Sequence, residues 1–460
     1  MRRTLAEFAR ACGGELAGAD RVFSGVSTDT RTLKAGELFV ALRGPRFNAN
    51  DFVAAAETAG AAGAVVDQRV DRALSQIVVG DTQAALTQGA AAWRAQFSIP
   101  LVGVAGSNGK TTVKEMIAAI LERRGSTLAT RGNLNNHIGV PLTLYRLEST
   151  HRQAVVEIGA NRAGEVASLV QLARPTVGLI TNAGAEHLEG FGSLEGVARA
   201  EGEMVEGLAP SATAVINADD NFAALWRGMT RARVSTFGMT QPADFSAHDL
   251  HASIDTNGFV THYRLKAPQG SMPIELHLAG QHNVLNSLCA ACAACAAGAT
   301  LDDVRAGLAT MRPVPGRLQF KTAPSGAWIV DDSYNANPSS MKAGIEVLAA
   351  VDARRWLVMG DMGELGDYAV ESHGDIGRFA RNNRIDRLFA TGKLSALAVE
   401  AFGSGGEWFA DTEALARAVN AELTREVCVL VKGSRSNRLE RVVEALVGRP
   451  AQDDNKNGLH

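Results

Sequence analysis

Aromatic residues make up only 5% of this chain, and neither sign of charge dominates: 46 Lys and Arg stand against 49 Asp and Glu, a formal net charge of -3. That balance offers no basic field for a nucleic acid and no polybasic patch for a membrane surface, so neither partner is expected. A small charged substrate is not excluded, because a local site can differ from the average. Long apolar runs are also missing. None approaches the roughly 18–20 residues of a spanning helix, and no apolar stretch follows the basic start Met1-Arg2-Arg3. Membrane insertion is therefore not expected. Cysteine is scarce and odd in number, five in 460 residues. This argues against a secreted disulfide framework and for a reducing, cytoplasmic setting.

Three of those cysteines, Cys289, Cys292 and Cys295, have the spacing of an iron–sulfur or zinc site. They lie in an Ala-rich run with no turn residue before Gly298. A helix would spread them along a drifting stripe instead of wrapping them around a metal. Small buried side chains in a packed helix are the expectation.

What is present is an ordinary globular composition, 46% hydrophobic and 21% charged. A single core rarely exceeds roughly 250–300 residues, so more than one domain is required. Residues 1–99 open with an amphipathic pattern (Leu5, Phe8, Ala9, Cys12) and continue with short strand-like runs at 37–42, 64–66 and 76–79. In residues 100–313 continuous apolar runs at 101–105, 154–158, 177–181 and 213–217 alternate with helical stretches. That rhythm indicates βαβ units and a parallel sheet buried on both faces. Residues 237–278 read instead as an antiparallel meander. Residues 314–460 return to α/β alternation, with strands at 328–330, 355–359, 387–390 and 427–431 and a polar end. The expected fold is α/β in three domains: an N-terminal unit, a central parallel-sheet P-loop ATPase domain and a C-terminal Rossmann-like α/β domain.

The run Leu101-Val102-Gly103-Val104-Ala105 leads into Gly106-Ser107-Asn108-Gly109-Lys110-Thr111-Thr112 and then an amphipathic helix. A strand, a glycine turn and a helix N-terminus together form an anion site, where backbone N–H groups and the helix dipole converge on phosphate. Lys110 can reach the β- and γ-phosphates of ATP, and the Thr111 hydroxyl can ligate Mg²⁺. Val104 occupies the place of the first Gly of the general G-x-x-x-x-G-K-[ST] pattern.

Three further segments stand out beside that loop: Gly132-Asn133-Leu134-Asn135-Asn136-His137-Ile138-Gly139-Val140-Pro141, Asn182-Ala183-Gly184-Ala185-Glu186-His187-Leu188-Glu189-Gly190-Phe191-Gly192, and Asp332-Ser333-Tyr334-Asn335-Ala336-Asn337-Pro338. With Gly360-Asp361-Met362-Gly363-Glu364-Leu365-Gly366, and nearly end to end, the chain resembles the Mur ligases, the ATP-dependent amide-forming enzymes of peptidoglycan synthesis. Within that family the motifs fit the member that joins D-Ala-D-Ala to a UDP-N-acetylmuramoyl tripeptide. The resemblance implies a monomer with small-molecule substrates, in which the first domain holds the UDP end through Ser27, Thr28, Asp29 and Arg31. A departure sits nearby: Asn48-Ala49-Asn50 stands where the family often has Asp-Gly-His.

The family reaction starts with a substrate carboxylate attacking the γ-phosphate of ATP. An amine then attacks the resulting acyl phosphate. Bringing two anions together requires cations and positioning. By resemblance, Lys110 and Mg²⁺ supply the charge, with Thr111, Glu157 and His187 as metal ligands. Relatives commonly carry a carbamylated Lys at the position of Glu201, whose own carboxylate is expected to replace it at the metal site. Asn283 and Asn286, in Gly280-Gln281-His282-Asn283-Val284-Leu285-Asn286, resemble the adenine-side motif, while Arg317 and Asp332 resemble phosphate and ribose contacts. Asn133, Asn136, Asn335 and Asn337 are implied substrate contacts, and Lys432, Ser434 and Arg435 are further candidates. Two other readings remain open: a ligase for a different acid, of folate or cyanophycin type, and a P-loop ATPase acting as a switch or motor.

Overall fold

The structure is a computed structural model describing residues 3–44, 47–184, 188–255 and 258–448. Among these residues the chain builds its main sheets one after another. The first has the order Glu15–Ala17, Gln76–Val78, Gly63–Val66, Leu38–Val40, Val26–Ser27. The second is wholly parallel, in the order Thr127–Ala129, Gln153–Glu157, Leu101–Ala105, Val177–Ile180, Thr213–Asn217, Arg233–Phe237. An antiparallel meander follows, from Ser246–Asp255 through Gly258–Ala267 to Gly270–Leu276. The last sheet runs Gln319–Thr322, Trp328–Asp332, Val427–Lys432, Arg354–Met359, Arg387–Thr391, Gly406–Phe409, and only its first strand is antiparallel.

The apolar runs explain the central sheet. Every residue of Leu101–Ala105, Gln153–Glu157 and Val177–Ile180 is buried, as expected for strands covered on both faces. Leu101–Ala105 lies between Gln153–Glu157 and Val177–Ile180, and the chain changes its direction of crossover there. Such a switch point opens a crevice at the carboxyl ends of the strands. The following helix, Lys110–Leu121, begins at once behind Gly109, so Lys110, Thr111 and Thr112 form its first turn. Its Val113, Met116, Ile117, Ile120 and Leu121 form one stripe. That stripe shares a core with Val284, Leu288 and the buried thiols Cys289 and Cys292 on the helix Gln281–Ala296. Burial pushes the thiols of Cys289, Cys292 and Cys295 up, and the described residues contain no metal-holding group of His, Cys, Asp or Glu. Cys289 and Cys292 are buried in this packed helix, and Cys295 is half-buried.

The first unit is fused to the central one by a shared core. Phe8 stacks on Tyr145 at 6.3 Å, Tyr145 Oη donates to the Leu86 carbonyl, and Trp93 Nε1 donates to the Leu147 carbonyl. Buried Arg94 donates to the carbonyls of Ala173, Phe97 and Arg174, so a charged side chain ties off the C-terminal end of the helix Glu165–Ala173. The sheet edges were absent from the sequence expectations: Glu15–Ala17, Val26–Ser27, Thr127–Ala129, Arg233–Phe237, Gln319–Thr322 and Gly406–Phe409 are short or poorly marked by apolar residues. No helix among the described residues is long and apolar enough to cross a membrane.

Behind the crevice, Trp226 is fully buried and donates Nε1–H to the Ala198 carbonyl of the helix Leu194–Glu206. Trp226→Ala removes that bond and opens a cavity under the helix. The expected loss is about 3–5 kcal/mol, read as a lowered unfolding midpoint in urea or on heating.

Candidate functional site

Gly106 begins the phosphate loop with φ 118°, and an added Cβ would stand 2.2 Å from Thr181 Oγ1. Glycine is required there by both conformation and space. Asn182 clamps the loop: its Oδ1 accepts from Asn108 N–H at 3.1 Å and its Nδ2 donates to the Asn108 carbonyl at 3.1 Å. The Thr181 hydroxyl donates to the same carbonyl at 2.6 Å. Ser107 Oγ accepts from Gly184 N–H at 2.8 Å. Lys110 folds back so that Nζ donates to the Gly106 and Ser107 carbonyls at 2.6 and 3.0 Å. Val104 is a fully buried strand residue, so the general pattern's first glycine has no counterpart to serve here.

A cavity of about 620 Å³ opens over this loop. Of the residues proposed to touch nucleotide or substrate, Ser107, Asn108, Gly109, Lys110, Thr111 and Thr112 line it from the central sheet, together with Glu157, Asn133, Asn136, Asn283 and Asn286. Arg317, Asp332, Asn335, Asn337 and Lys432 line it from the C-terminal unit. One Arg317 terminal nitrogen donates to Thr111 Oγ1 at 3.4 Å, and the guanidinium lies 4.6 Å from the Tyr334 ring centre. Asp332 is buried; desolvation pushes its carboxyl up, opposed by the Lys432 ammonium at 2.7 Å. Lys432 also donates to the Asn335 carbonyl at 2.9 Å. His282, packed beside Asn283 in the same cavity, is pushed down to about 4 by burial and by Lys432, so its ring is neutral at neutral pH.

Several expected residues stand elsewhere. Ser27, Thr28, Asp29 and Arg31 are not in this cavity. They form a turn at the edge of the first sheet, in which Arg31 forks onto Asp29 at 2.7–3.1 Å and holds its carboxyl below the usual range. Asn50, at the position of the family's His, is buried with Oδ1 unpartnered and Nδ2 on Asp67. Ser434 and Arg435 also lie outside the cavity wall. Glu201 approaches the loop from beneath: it is buried, and its Oε2 accepts from Gly106 N–H at 2.7 Å. That places its carboxylate against the loop backbone and outside the cavity wall. His187 lies outside the described residues.

Glu157 carries the clearest sign of a missing partner. Its Oε1 accepts from Thr111 Oγ1 at 3.3 Å and from Asn135 Nδ2 at 2.9 Å. Its Oε2 is buried with no hydrogen-bond partner. A carboxylate oxygen in that state is costly unless a donor or a cation meets it. A hydroxyl, a carboxylate and nearby phosphate oxygens form the hard, sparse donor set that Mg²⁺ accepts while keeping several waters. Two residues missed in the sequence hold this arrangement. Asn135 orients the carboxylate. Lys114, fully buried, donates to the Thr130 carbonyl at 3.0 Å, while Thr130 Oγ1 accepts from Glu157 N–H at 3.0 Å. Asn135 sits among three similar asparagines, and nothing in the spacing marks it. Lys114 could have been found as a lone charge on the apolar side of a helix.

Residues 104–294 match the Mur ligase middle domain and residues 316–435 the Mur ligase, glutamate ligase domain. The UDP-N-acetylmuramoyl-tripeptide–D-alanyl-D-alanine ligase of Escherichia coli K12 is 44% identical over 96% of this chain and 98% of its own. The crystal structure of MurF from Acinetobacter baumannii superposes with a TM-score of 0.91 at 34% identity, covering 98% and 99% of the two chains. MurF ligase from Thermotoga maritima, solved with ADP, gives 0.80 at 27% identity, covering 92% and 97%.

Asn135→Ala leaves Glu157 free to turn, so the cation it would meet is held less well. The expected result is roughly 10–100-fold weaker divalent binding, measured directly with Mn²⁺ by paramagnetic resonance in the presence of ADP. Asn135→Gln should recover part of it.

Proposed function

The chain belongs to the Mur ligase family, and from that premise we propose that it joins D-Ala-D-Ala to a UDP-N-acetylmuramoyl tripeptide in an ATP-dependent amide ligation. The observation that carries this reading is that the phosphate loop and the C-terminal unit wall a single cavity, with Arg317 reaching Thr111 across it. A site closed by two bodies suits transfer to a second substrate, because it shelters an activated acyl group from water. Near full-length likeness to ligases of this name supports the choice of substrates.

The reaction runs in two displacements. A carboxylate oxygen of the tripeptide attacks the γ-phosphorus, the bond to the β-bridging oxygen breaks, and ADP leaves. The dipeptide amine then attacks the acyl carbon, gives up a proton, and expels phosphate as the amide forms. The loop N–H groups and Lys110 hold the phosphates, and Arg317 offers positive charge from the opposite wall. Asn283 and Asn286, on the cavity wall, are assigned to the adenine edge and Asp332 to the ribose. Thr111 and Glu157 would hold Mg²⁺, with His187 beside them by family resemblance. When bound, the metal supplies positive charge that lets two anionic groups approach. Ser27, Thr28, Asp29 and Arg31 are assigned to the UDP end. Asn133, Asn136 and Asn335 are assigned to the peptide. We assign domains to residues 1–99, 100–313 and 314–460, and a monomer working in the cytoplasm, where ATP and nucleotide-linked precursors occur together.

Phosphate release that requires both the UDP-linked tripeptide and D-Ala-D-Ala is the expected assay result. Substrate-independent hydrolysis would favour an ATPase, and turnover with a different acid would favour another ligase. Glu201 supplies in this reading the negative charge that relatives obtain from a carbamylated lysine, and its bond to Gly106 N–H aims it at the loop. Activity should then be indifferent to removal of carbon dioxide, while Glu201→Ala should lose about 10–100-fold in activity. Full activity and unchanged magnesium dependence in Glu201→Ala would end the assignment.

A further inference from the structure

Asn108 belongs to two bodies at once. Its main chain is fixed by the central sheet, through Asn182 and Thr181. Its side chain is held by the C-terminal unit: Oδ1 accepts from Asn337 Nδ2 at 2.8 Å, and Nδ2 donates to Ser339 Oγ at 3.1 Å. These partners open the helix Pro338–Ala349, whose first residues Ser339 and Ser340 line the cavity opposite the loop.

The orientation of the Asn337 amide is determined by its own helix. Asn337 is the N-cap, with Pro338 behind it, and its Oδ1 accepts from Ser340 N–H at 2.8 Å and from Ser339 Oγ at 3.0 Å. Oxygen must face the helix, because only oxygen accepts. The NH2 group is therefore turned across the cavity to Asn108, and Asn108 can answer only with its own oxygen. That leaves the Asn108 NH2 to meet the Ser339 hydroxyl. Asn337 itself is only 5% exposed, so little water competes for its amide. Its hydrogen bonds tie Asn337 to the cap and to the loop, on the wall of the cavity.

We propose that Asn337 is a positioning residue acting through Asn108. It fixes the phosphate loop when the C-terminal unit is seated, and so couples nucleotide affinity to domain closure. The inference rests on the proposed function only in taking the loop to hold the phosphates of ATP or ADP. Reciprocity follows, since whatever seats the C-terminal unit tightens nucleotide, and nucleotide favours the seated state to the same degree.

The test uses the full chain, ADP with magnesium, and calorimetry. Asn337→Ser keeps a good N-cap but is too short to reach Asn108. It is expected to unfold at the wild-type temperature and to bind ADP about 3–10-fold more weakly, the loss of one neutral hydrogen-bonded link. Asn108→Ala, which leaves the cap intact, should show at least that loss, and adding Asn337→Ser to it should cost little more. Wild-type ADP affinity in Asn337→Ser would overturn the proposal, as would full additivity of the two changes. Should Asn337→Ser lower the unfolding temperature, the additivity comparison at a temperature where both variants are folded still decides. A failure of D-Ala-D-Ala ligation would count against the assigned reaction and leave this coupling untouched, since ADP binding is read alone.

Discussion

Between Gly106 and Gly109 the backbone runs closer to the turn at Thr181 and Asn182 than any side chain at position 106 would permit, and the rest of the site is arranged around that approach. With the loop pressed onto the ends of two neighbouring strands, its carbonyls are used by Thr181, Asn182 and Lys110. The helix Lys110–Leu121 starts without a side-chain cap, which leaves the anion-binding end of its dipole to the cavity. Glu157 ends the adjacent strand at the same level and meets Thr111 there. Parallel pairing sets that level: Val104 stands opposite Glu157, so the loop and the carboxylate emerge from the sheet together.

Much of this was legible in the sequence because the central strands are nearly pure apolar runs. Leu101–Ala105 and Thr213–Asn217 have the boundaries that their composition suggests. The edges were harder. Thr127–Ala129 has three residues, only one of them fully buried, so burial leaves hardly any pattern to read. The phosphate loop was visible from glycine, lysine and threonine in order, whereas the shell that holds Glu157 was not. Asn135 acts because of where the 132–136 turn places it, and neighbouring asparagines look the same on paper.

Two expectations changed meaning once geometry was available. Asn337 had the signature of a helix start, an Asn before Pro338 and two serines, and that signature was the better guide to its contacts. Glu201 had been placed by analogy at the metal. Its helix carries it to the loop, where the buried carboxylate also meets the N–H of Gly106. Both cases show side chains near a reaction centre serving the scaffold that holds other groups in place.

The connection at 313–316 gives Arg317 a different standing from the rest of the C-terminal wall. It follows directly on the last position of that link, and consecutive Cα atoms are about 3.8 Å apart. A rotation about the link carries points near the axis through short arcs and distant points through long ones. Were the C-terminal unit to turn about this link, Arg317 would move less relative to Thr111, which it meets at 3.4 Å, than the rest of that wall. Its guanidinium spans the cavity, between Thr111 on the central domain and the Tyr334 ring on its own.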